Sequence, residues 1–115
     1  MTHDLSAARE AILLGQHSAP AALARCAEPA RAAPAQAWVP RFAGQAEATA
    51  AAVDLQHEAG IPLPPLAGLA VSIKDLFDVA GFPTTAGSVV LRDQPAATPD
   101  CPAVARLRRA GAALP

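Results

Sequence analysis

Alanine is the feature that most limits what this chain can fold into. It accounts for 31 of the 115 residues, which is just over half of all the apolar residues. Burial of one carbon stabilises a fold by only about 0.8 kcal/mol, so alanine methyl groups build a thin core. Twelve prolines and seven glycines further limit long regular elements. We therefore expect one domain at most.

Charge and hydropathy exclude several classes of protein. The net charge is −1 with both signs dispersed, so we predict no nucleic-acid partner. No apolar run has the length of a membrane span, and the N-terminus has no signal-peptide pattern, so we predict a cytoplasmic protein without membrane contact. Cys26 and Cys101 lie far apart in sequence and are expected to be free thiols.

The histidines give no sign of a metal site. His3, His17 and His57 have no spacing that places two of them on one helix face. The acidic residues Asp75 and Asp78 flank a predicted turn, where aspartate side chains usually accept hydrogen bonds from backbone N–H groups. We therefore predict neither a metal nor a cofactor.

The first sixty residues have helical patterns. Asp4 is predicted to cap a first helix that ends near Gly15, and Ser18 a second helix that stops at Pro29. A connector over residues 29–40 precedes a third helix from about Arg41 to Ala59. The second helix is predicted to carry Leu23 and Cys26 inward. The third helix has one face that comprises Phe42, Ala46, Ala50, Val53 and Gln56.

The pattern changes after Gly60. Three prolines make residues 61–68 an extended linker, because proline removes backbone donors. Residues 69–74 then alternate with period two, which predicts a strand. One face carries Leu69, Val71 and Ile73, and the opposite face carries Ala70, Ser72 and Lys74.

The remainder predicts one crossover unit. Residues 75–81 form a turn, residues 84–91 an extended piece, and Asp100 caps a last helix that Gly111 ends. Residues 112–115 look like the start of a second strand. Because a folded domain rarely stops at this point of a βαβ unit, we expect the chain to be the N-terminal part of a longer protein.

Lys74, the only lysine, is the candidate for chemistry. It follows a predicted buried strand, and burial lowers the pKa of a lysine until the neutral amine can act as a general base. The simpler alternative is a lysine that reaches water at the strand end and pairs with Asp75. Ser72 is a poor partner, since side chains two residues apart on a strand are separated by about 6–7 Å. Ser88 is expected to bond its own backbone in a turn.

Several linked motifs in residues 65–111 resemble the amidase signature family. In order they are Pro-Leu-x-Gly at 65–68, Lys-Asp at 74–75, Asp-Val-x-Gly at 78–81, Thr-Thr-x-Gly-Ser at 84–88 and Arg-Leu-x-x-Ala-Gly-Ala at 106–112. Two positions depart from the family pattern: Ala70 replaces a usual proline and Leu76 a common asparagine.

The resemblance implies a fold and a reaction. The fold is α/β, with a mixed sheet flanked by helices, of which residues 1–115 would be the N-terminal part (helical 1–60, linker 61–68, motif region 69–115). The reaction is amide hydrolysis by a Ser–Ser–Lys relay on a small carboxamide, with Lys74 as the base. No Gly-Gly-Ser-Ser-Gly-like run is present, so the family's two serines have no match and we expect this chain to be inactive alone.

Two alternatives remain open. Within the family, the protein could be the A subunit of a tRNA-dependent glutamyl or aspartyl amidotransferase, which releases ammonia from glutamine for a partner. In a different class, it could be a non-catalytic helical module for binding or structure. A homo-oligomer is compatible with either.

Overall fold

The computed structural model describes residues 4–34 and 42–115. Within them lie four α-helices, α1 (Leu5–Leu13), α2 (Ala19–Ala32), α3 (Ala43–Glu58) and α4 (Pro102–Arg109), and a 3₁₀ helix at Val89–Leu91. Helix α2 packs along α3, and α1 contacts α2. In the described ranges no helix has the length and apolar character needed to cross a bilayer.

The three helices predicted before residue 60 are present, and two of their caps are confirmed. The Asp4 carboxylate accepts a hydrogen bond from the Ala7 N–H at 2.7 Å, and the Ser18 hydroxyl accepts one from the Ala21 N–H at 3.2 Å. Each bond satisfies one of the N–H groups that a helix start leaves without a partner. Gly60, with φ of 69°, follows the C-terminus of α3 as expected. The predicted first residue of that helix, Arg41, lies outside the described residues, as do His3 and the second half of the predicted connector, residues 35–40.

The predicted end of α2 at Pro29 is wrong, because the helix continues to Ala32. A proline removes one helical hydrogen bond, here the bond to the carbonyl of Arg25, and that residue is exposed, so water can replace the donor. The inward orientation of Cys26 is also wrong, since this residue is exposed. The buried side of the helix follows Ala19 and Leu23, four residues apart, and Cys26 lies off that line.

Two groups of buried side chains form the core. The first lies between α2, α3 and residues 67–69, and five of its nine members are alanines, as the composition predicts. These members are Ile12, Ala19, Leu23, Ala46, Ala50, Val53, Ala67, Leu69 and Ala113. The second surrounds Val104 of α4 and comprises also Phe42, Val79, Ala112 and Leu114. The rings of Phe42 and Phe82 meet beside it, with centroids 4.4 Å apart.

The strands predicted at 69–74 and from 112 are wrong in extent. The described residues contain no strand, and the two segments form a single parallel bridge between Ala70 and Ala113. The Val71 N–H donates to the Ala113 carbonyl at 2.9 Å, and the Ala113 N–H donates to the Leu69 carbonyl at 2.8 Å. In this parallel pattern the next bond would run from the N–H of residue 115 to the Val71 carbonyl. Residue 115 is a proline without an N–H, so that bond cannot form. The mixed sheet is therefore not found in the described part of the chain.

The predicted division into two faces is nevertheless confirmed by burial. Leu69 is buried, while Val71 and Ile73 are half-buried and pack against the second core group. On the other face, Ser72 and Lys74 are exposed. The period-two pattern therefore sets the direction of each side chain even where backbone pairing is absent.

Two further predictions in the second half are wrong. Residues 89–91 form a 3₁₀ helix instead of an extended piece, and the Ser88 hydroxyl accepts from the Val90 N–H at 3.3 Å, the turn role expected for this serine. The N-cap of α4 is Cys101, not Asp100. The Asp100 carboxylate instead accepts from the Ala80 N–H at 2.8 Å and from Nε of Arg108 at 2.7 Å. This charge-assisted pair ties α4 to the turn before it.

Two glycines of the sequence motifs meet where α4 ends. The Gly68 N–H donates to the Gly111 carbonyl at 2.9 Å, and both residues have positive φ, 70° and 89°. A Cβ atom on Gly111 would lie 2.6 Å from Cγ of Pro64 and 3.1 Å from Cα of Ala67. Glycine is required at Gly111 both by the backbone angle and by the space.

Candidate functional site

Lys74 stands at the end of the alternating segment with its side chain exposed. The expected burial of the amine is not found in the described structure, where Ser72 and Lys74 are exposed and only Ala70 of their shared face packs against the first core group. Nor does any described carboxylate form an ion pair with Lys74; the two described pairs are Arg31–Glu28 and Arg108–Asp100. The amine thus points away from the core and is open to a further group.

The carboxylate of Asp75, the next residue, is fully engaged elsewhere. Its Oδ1 accepts from the Thr85 N–H at 3.0 Å, and its Oδ2 accepts from the Thr85 hydroxyl and from the Gly87 N–H at 3.4 Å. Thr85 is only 7% exposed, which makes it the buried polar residue of the described structure. The Lys-Asp and Thr-Thr-x-Gly-Ser motifs are therefore in direct contact.

The loop over residues 84–88 is shaped to receive this carboxylate. Ala86 and Gly87 both have left-handed backbones, with φ of 50° and 72°. Successive N–H groups in such a turn can point to one side and form a concave anion site. Here the anion is the Asp75 side chain. A second hydrogen bond joins the same turn to this loop and is more exposed. In it the Thr84 hydroxyl donates to Oδ1 of Asp78 at 2.6 Å.

These contacts change the acidity of Asp75. Burial raises the pKa of this carboxyl, but hydrogen bonds from the Thr85 hydroxyl and from the N–H groups of Thr85, Gly87 and Ala86 lower it by more, so the pKa lies below its ordinary value. An aspartate whose pKa is lower in the folded protein stabilises the fold above the pKa of the unfolded chain. That stability is lost as the pH falls through the folded-state pKa.

We expect this loss below about pH 4, the range where unfolded aspartate takes up its proton. Thr85→Val removes the hydroxyl donor, so the free energy of unfolding of that variant should depend less steeply on pH between about 4 and 2. Thr85→Ser keeps the donor and should retain the wild-type slope. Urea denaturation at a series of pH values measures both. Equal slopes for the valine and wild-type proteins would contradict the assignment.

An open cleft of about 380 Å³ is lined by Ala70 and Ser72 but not by Lys74. Ala70, Ser72 and Pro115 form one wall, and the C-terminal half of α2 with its cap Ala33 forms the other. In the described residues neither Ser72 nor Ser88 is hydrogen-bonded to the Lys74 amine. No group of three histidine, cysteine, aspartate or glutamate residues in the described ranges is placed to hold a metal ion.

Sequence reasoning missed the part played by Thr85. It treated Asp75 and Asp78 as residues that satisfy their own turn, whereas both reach the loop that carries the two threonines. The signal that could have shown this was the Thr-Thr-x-Gly-Ser motif itself: its hydroxyl donors and left-handed glycine suit a carboxylate partner.

This motif region defines the class of the protein. The family model named Amidase matches residues 21–114, and the chain belongs to that family. It is 45% identical over 78 residues to AtzE of a Pseudomonas species, one of the subunits of 1-carboxybiuret hydrolase, a match that covers 68% of this chain and 17% of that protein. It is 47% identical over 62 residues to the A subunit of the glutamyl-tRNA(Gln) amidotransferase of Salinispora tropica, covering 54% of this chain and 12% of that protein.

A solved structure has the same fold over nearly the whole chain. It is a chain from the inhibitor-bound form of a vestigial protein complex, described in connection with the evolutionary origins of an s-triazine catabolic enzyme. The TM-score is 0.86 with 37% identity, and the match covers 92% of this chain and 24% of that chain. The chain thus spans about a quarter of this neighbour and less than a fifth of the two curated relatives.

Proposed function

We propose that the protein to which this chain belongs is an amide hydrolase that uses Lys74 as its general base. The observation that carries the proposal is the contact between Asp75 of the Lys-Asp motif and the Thr-Thr-x-Gly-Ser loop, because it joins two of the family's motifs directly beside Lys74. Membership of the Amidase family supports it, as does the similarity to a subunit of a carboxybiuret hydrolase. The reaction is cleavage of a C–N bond in a small carboxamide.

The chemistry requires partners for Lys74. A neutral lysine accepts a proton through a bridging serine, and the second serine so activated attacks the amide carbonyl. The resemblance implies that both serines come from a Gly/Ser-rich segment that this chain does not contain. We therefore propose that the 115-residue chain is inactive alone. We also propose that further strands of a mixed sheet would pair beside the Ala70–Ala113 bridge and shield the exposed amine.

The second candidate is the A subunit of a tRNA-dependent amidotransferase. The identity of 47% to the Salinispora tropica protein favours it, and that level is close to the 45% found for the carboxybiuret hydrolase. The two activities differ in their requirements: a protein of the amidotransferase kind would release ammonia from glutamine only with its partner subunits and charged tRNA. The non-catalytic module is the remaining alternative.

The two cysteines support a proposal about the cellular compartment. Cys26 and Cys101 are free thiols, as their spacing predicts, and free thiols persist in reducing compartments. We propose a cytoplasmic protein whose partner is a small carboxamide substrate, with self-association as an open alternative.

Two measurements test the proposal in sequence. Reading the gene beyond the codon for Pro115 should reveal a Gly/Ser-rich segment with paired serines; a stop codon at that point in intact genomic DNA would contradict it. The protein expressed from the complete reading frame should then release ammonia from propionamide or benzamide without tRNA. If glutamine is the only substrate from which ammonia is released, and if this release requires tRNA and partner subunits, the second candidate is supported instead. If no amide is hydrolysed under any of these conditions, the non-catalytic module is the interpretation that remains.

A further inference from the structure

We propose that Asp75 is a positioning residue for Lys74: its carboxylate, held by Thr85 and Gly87, fixes the backbone from which the lysine reaches the open face. This inference rests on the proposed function, because it matters for turnover only if Lys74 is the base. It assigns Asp75 a role distinct from that of a counter-ion for the neighbouring amine.

The first step is the different surroundings of the two side chains. Lys74 ends the extended segment, and Asp75 is the first residue of the turn that follows it. Lys74 is exposed, whereas Asp75 is half-buried and its carboxylate bonds to the loop that carries Thr85. Their Cα atoms are about 3.8 Å apart across one peptide bond, so anchoring one residue fixes the other closely.

The second step concerns the anchor, by which we mean the hydrogen bonds that hold the Asp75 carboxylate. Both of its oxygens accept such bonds, from two donors of Thr85 and from the Gly87 N–H. Hydrogen bonds to a charged acceptor are stronger than neutral ones. Because Thr85 is 7% exposed, water competes poorly for its hydroxyl. The anchor is therefore the most protected polar contact near Lys74.

The third step concerns the backbone of Lys74 itself. Its carbonyl accepts from the Leu76 N–H at 2.7 Å and from the Phe77 N–H at 3.2 Å, so the chain turns immediately after the pair. The turn and the Asp75 anchor together define where the lysine side chain starts. A general base must lie within hydrogen-bond reach of the proton that it accepts, and a flexible four-carbon side chain gains most from a fixed origin.

The fourth step is that Asp75 leaves the amine without a counter-charge. A carboxylate paired with a lysine favours the protonated form, which cannot accept a proton. The bonds from Thr85 and Gly87 direct the carboxylate to the loop instead. Asp75 thus anchors the backbone beside the lysine and forms no ion pair with its amine.

The test is a double-mutant cycle in the protein expressed from its complete reading frame, with ammonia release from the best carboxamide substrate as the assay. Asp75→Asn keeps the shape but replaces one acceptor with a donor, and it should lower kcat on the order of 100-fold with little change in KM, the cost of a misplacement of about 1 Å. In a Lys74→Ala background the same change should have no further effect, because no lysine remains to be placed. A merely structural defect would lower the residual rate by the same factor in both backgrounds.

Two further variants keep the inference testable if Asp75→Asn fails to fold. Thr85→Val should lower kcat by about 10-fold and Thr85→Ser by no more than about 2-fold, since only the serine keeps the hydroxyl donor. Asp78→Asn is the matched control, because it makes the same substitution in the same turn while its amide oxygen can still accept the exposed bond from the Thr84 hydroxyl, and its kcat should stay within about 3-fold of wild type.

The outcomes separate the two proposals. If Lys74→Ala retains wild-type turnover, the proposed function fails. If Lys74→Ala lowers turnover strongly but the Asp75→Asn effect multiplies with it in the double variant, or if Asp75→Asn turns over like wild type, the positioning role alone is overturned. Loss of the Asp75→Asn effect in the Lys74→Ala background supports it.

Discussion

Lys74→Ala should lower the rate of amide hydrolysis by about 10²- to 10⁴-fold, the range that a general base contributes. The side chain is exposed and its amine has no ion-pair partner in the described residues, so its removal should leave no cavity and break no buried contact. In the 115-residue chain, the circular dichroism spectrum and the free energy of unfolding should therefore stay close to wild type, within about 0.5 kcal/mol for a surface change of this kind.

Lys74→Arg is the matched control for charge. Arginine keeps a positive charge and a long side chain, but it does not lose its proton in proteins and cannot act as a base. It should be as inactive as the alanine variant. An arginine variant with near wild-type turnover would mean that Lys74 contributes only its charge, and the base would have to be sought elsewhere.

Gly111→Ala should be the most destabilising single change at the junction of the two motif segments. Its φ of 89° costs an alanine about 1–2 kcal/mol. The added Cβ would also lie 3.1 Å from Cα and 3.3 Å from N of Ala67, and backbone atoms cannot move aside cheaply. Overpacking of this kind costs about 1–3 kcal/mol, so we expect a total loss of roughly 2–5 kcal/mol.

Gly81→Ala separates the two contributions. Gly81 has nearly the same φ, 88°, but a Cβ there would meet nothing within 4 Å. Both variants also share the entropy that alanine removes from the unfolded chain. The difference between their free energies of unfolding in urea therefore measures the contact with Ala67 and Pro64, and we expect about 1–3 kcal/mol. Equal losses would show that the close approach relaxes without cost.

Local features of the fold were predictable because they depend on neighbours in sequence. The caps at Asp4 and Ser18 follow from one side chain and the helix that starts after it. The alternation of Leu69, Val71 and Ile73 likewise predicts burial correctly. Pro29 was misjudged because the loss of one hydrogen bond at an exposed position is smaller than the gain from continuing the helix.

Features that depend on distant residues were not predictable from one sequence. The extent of the strand pairing depends on Pro115, some forty residues after Val71, whose missing N–H prevents the next bond. Asp100 precedes α4 and therefore suggested a helix cap. Its actual partners could not be inferred from its neighbours in sequence, because Arg108 lies two turns along α4 and Ala80 lies on a separate turn. For the site, the motifs pointed to Lys74, but its exposure and the link from Asp75 to Thr85 required the structure.

The alternating directions of the side chains from Leu69 to Lys74 bear on how this extended segment can change. A substitution at Ala70 or Ser72 alters one side chain and leaves the direction of every other one intact. An insertion or deletion of one residue between Leu69 and Lys74 would turn the lysine toward the core, because the side-chain period is two. The segment is therefore constrained in length more strictly than in composition.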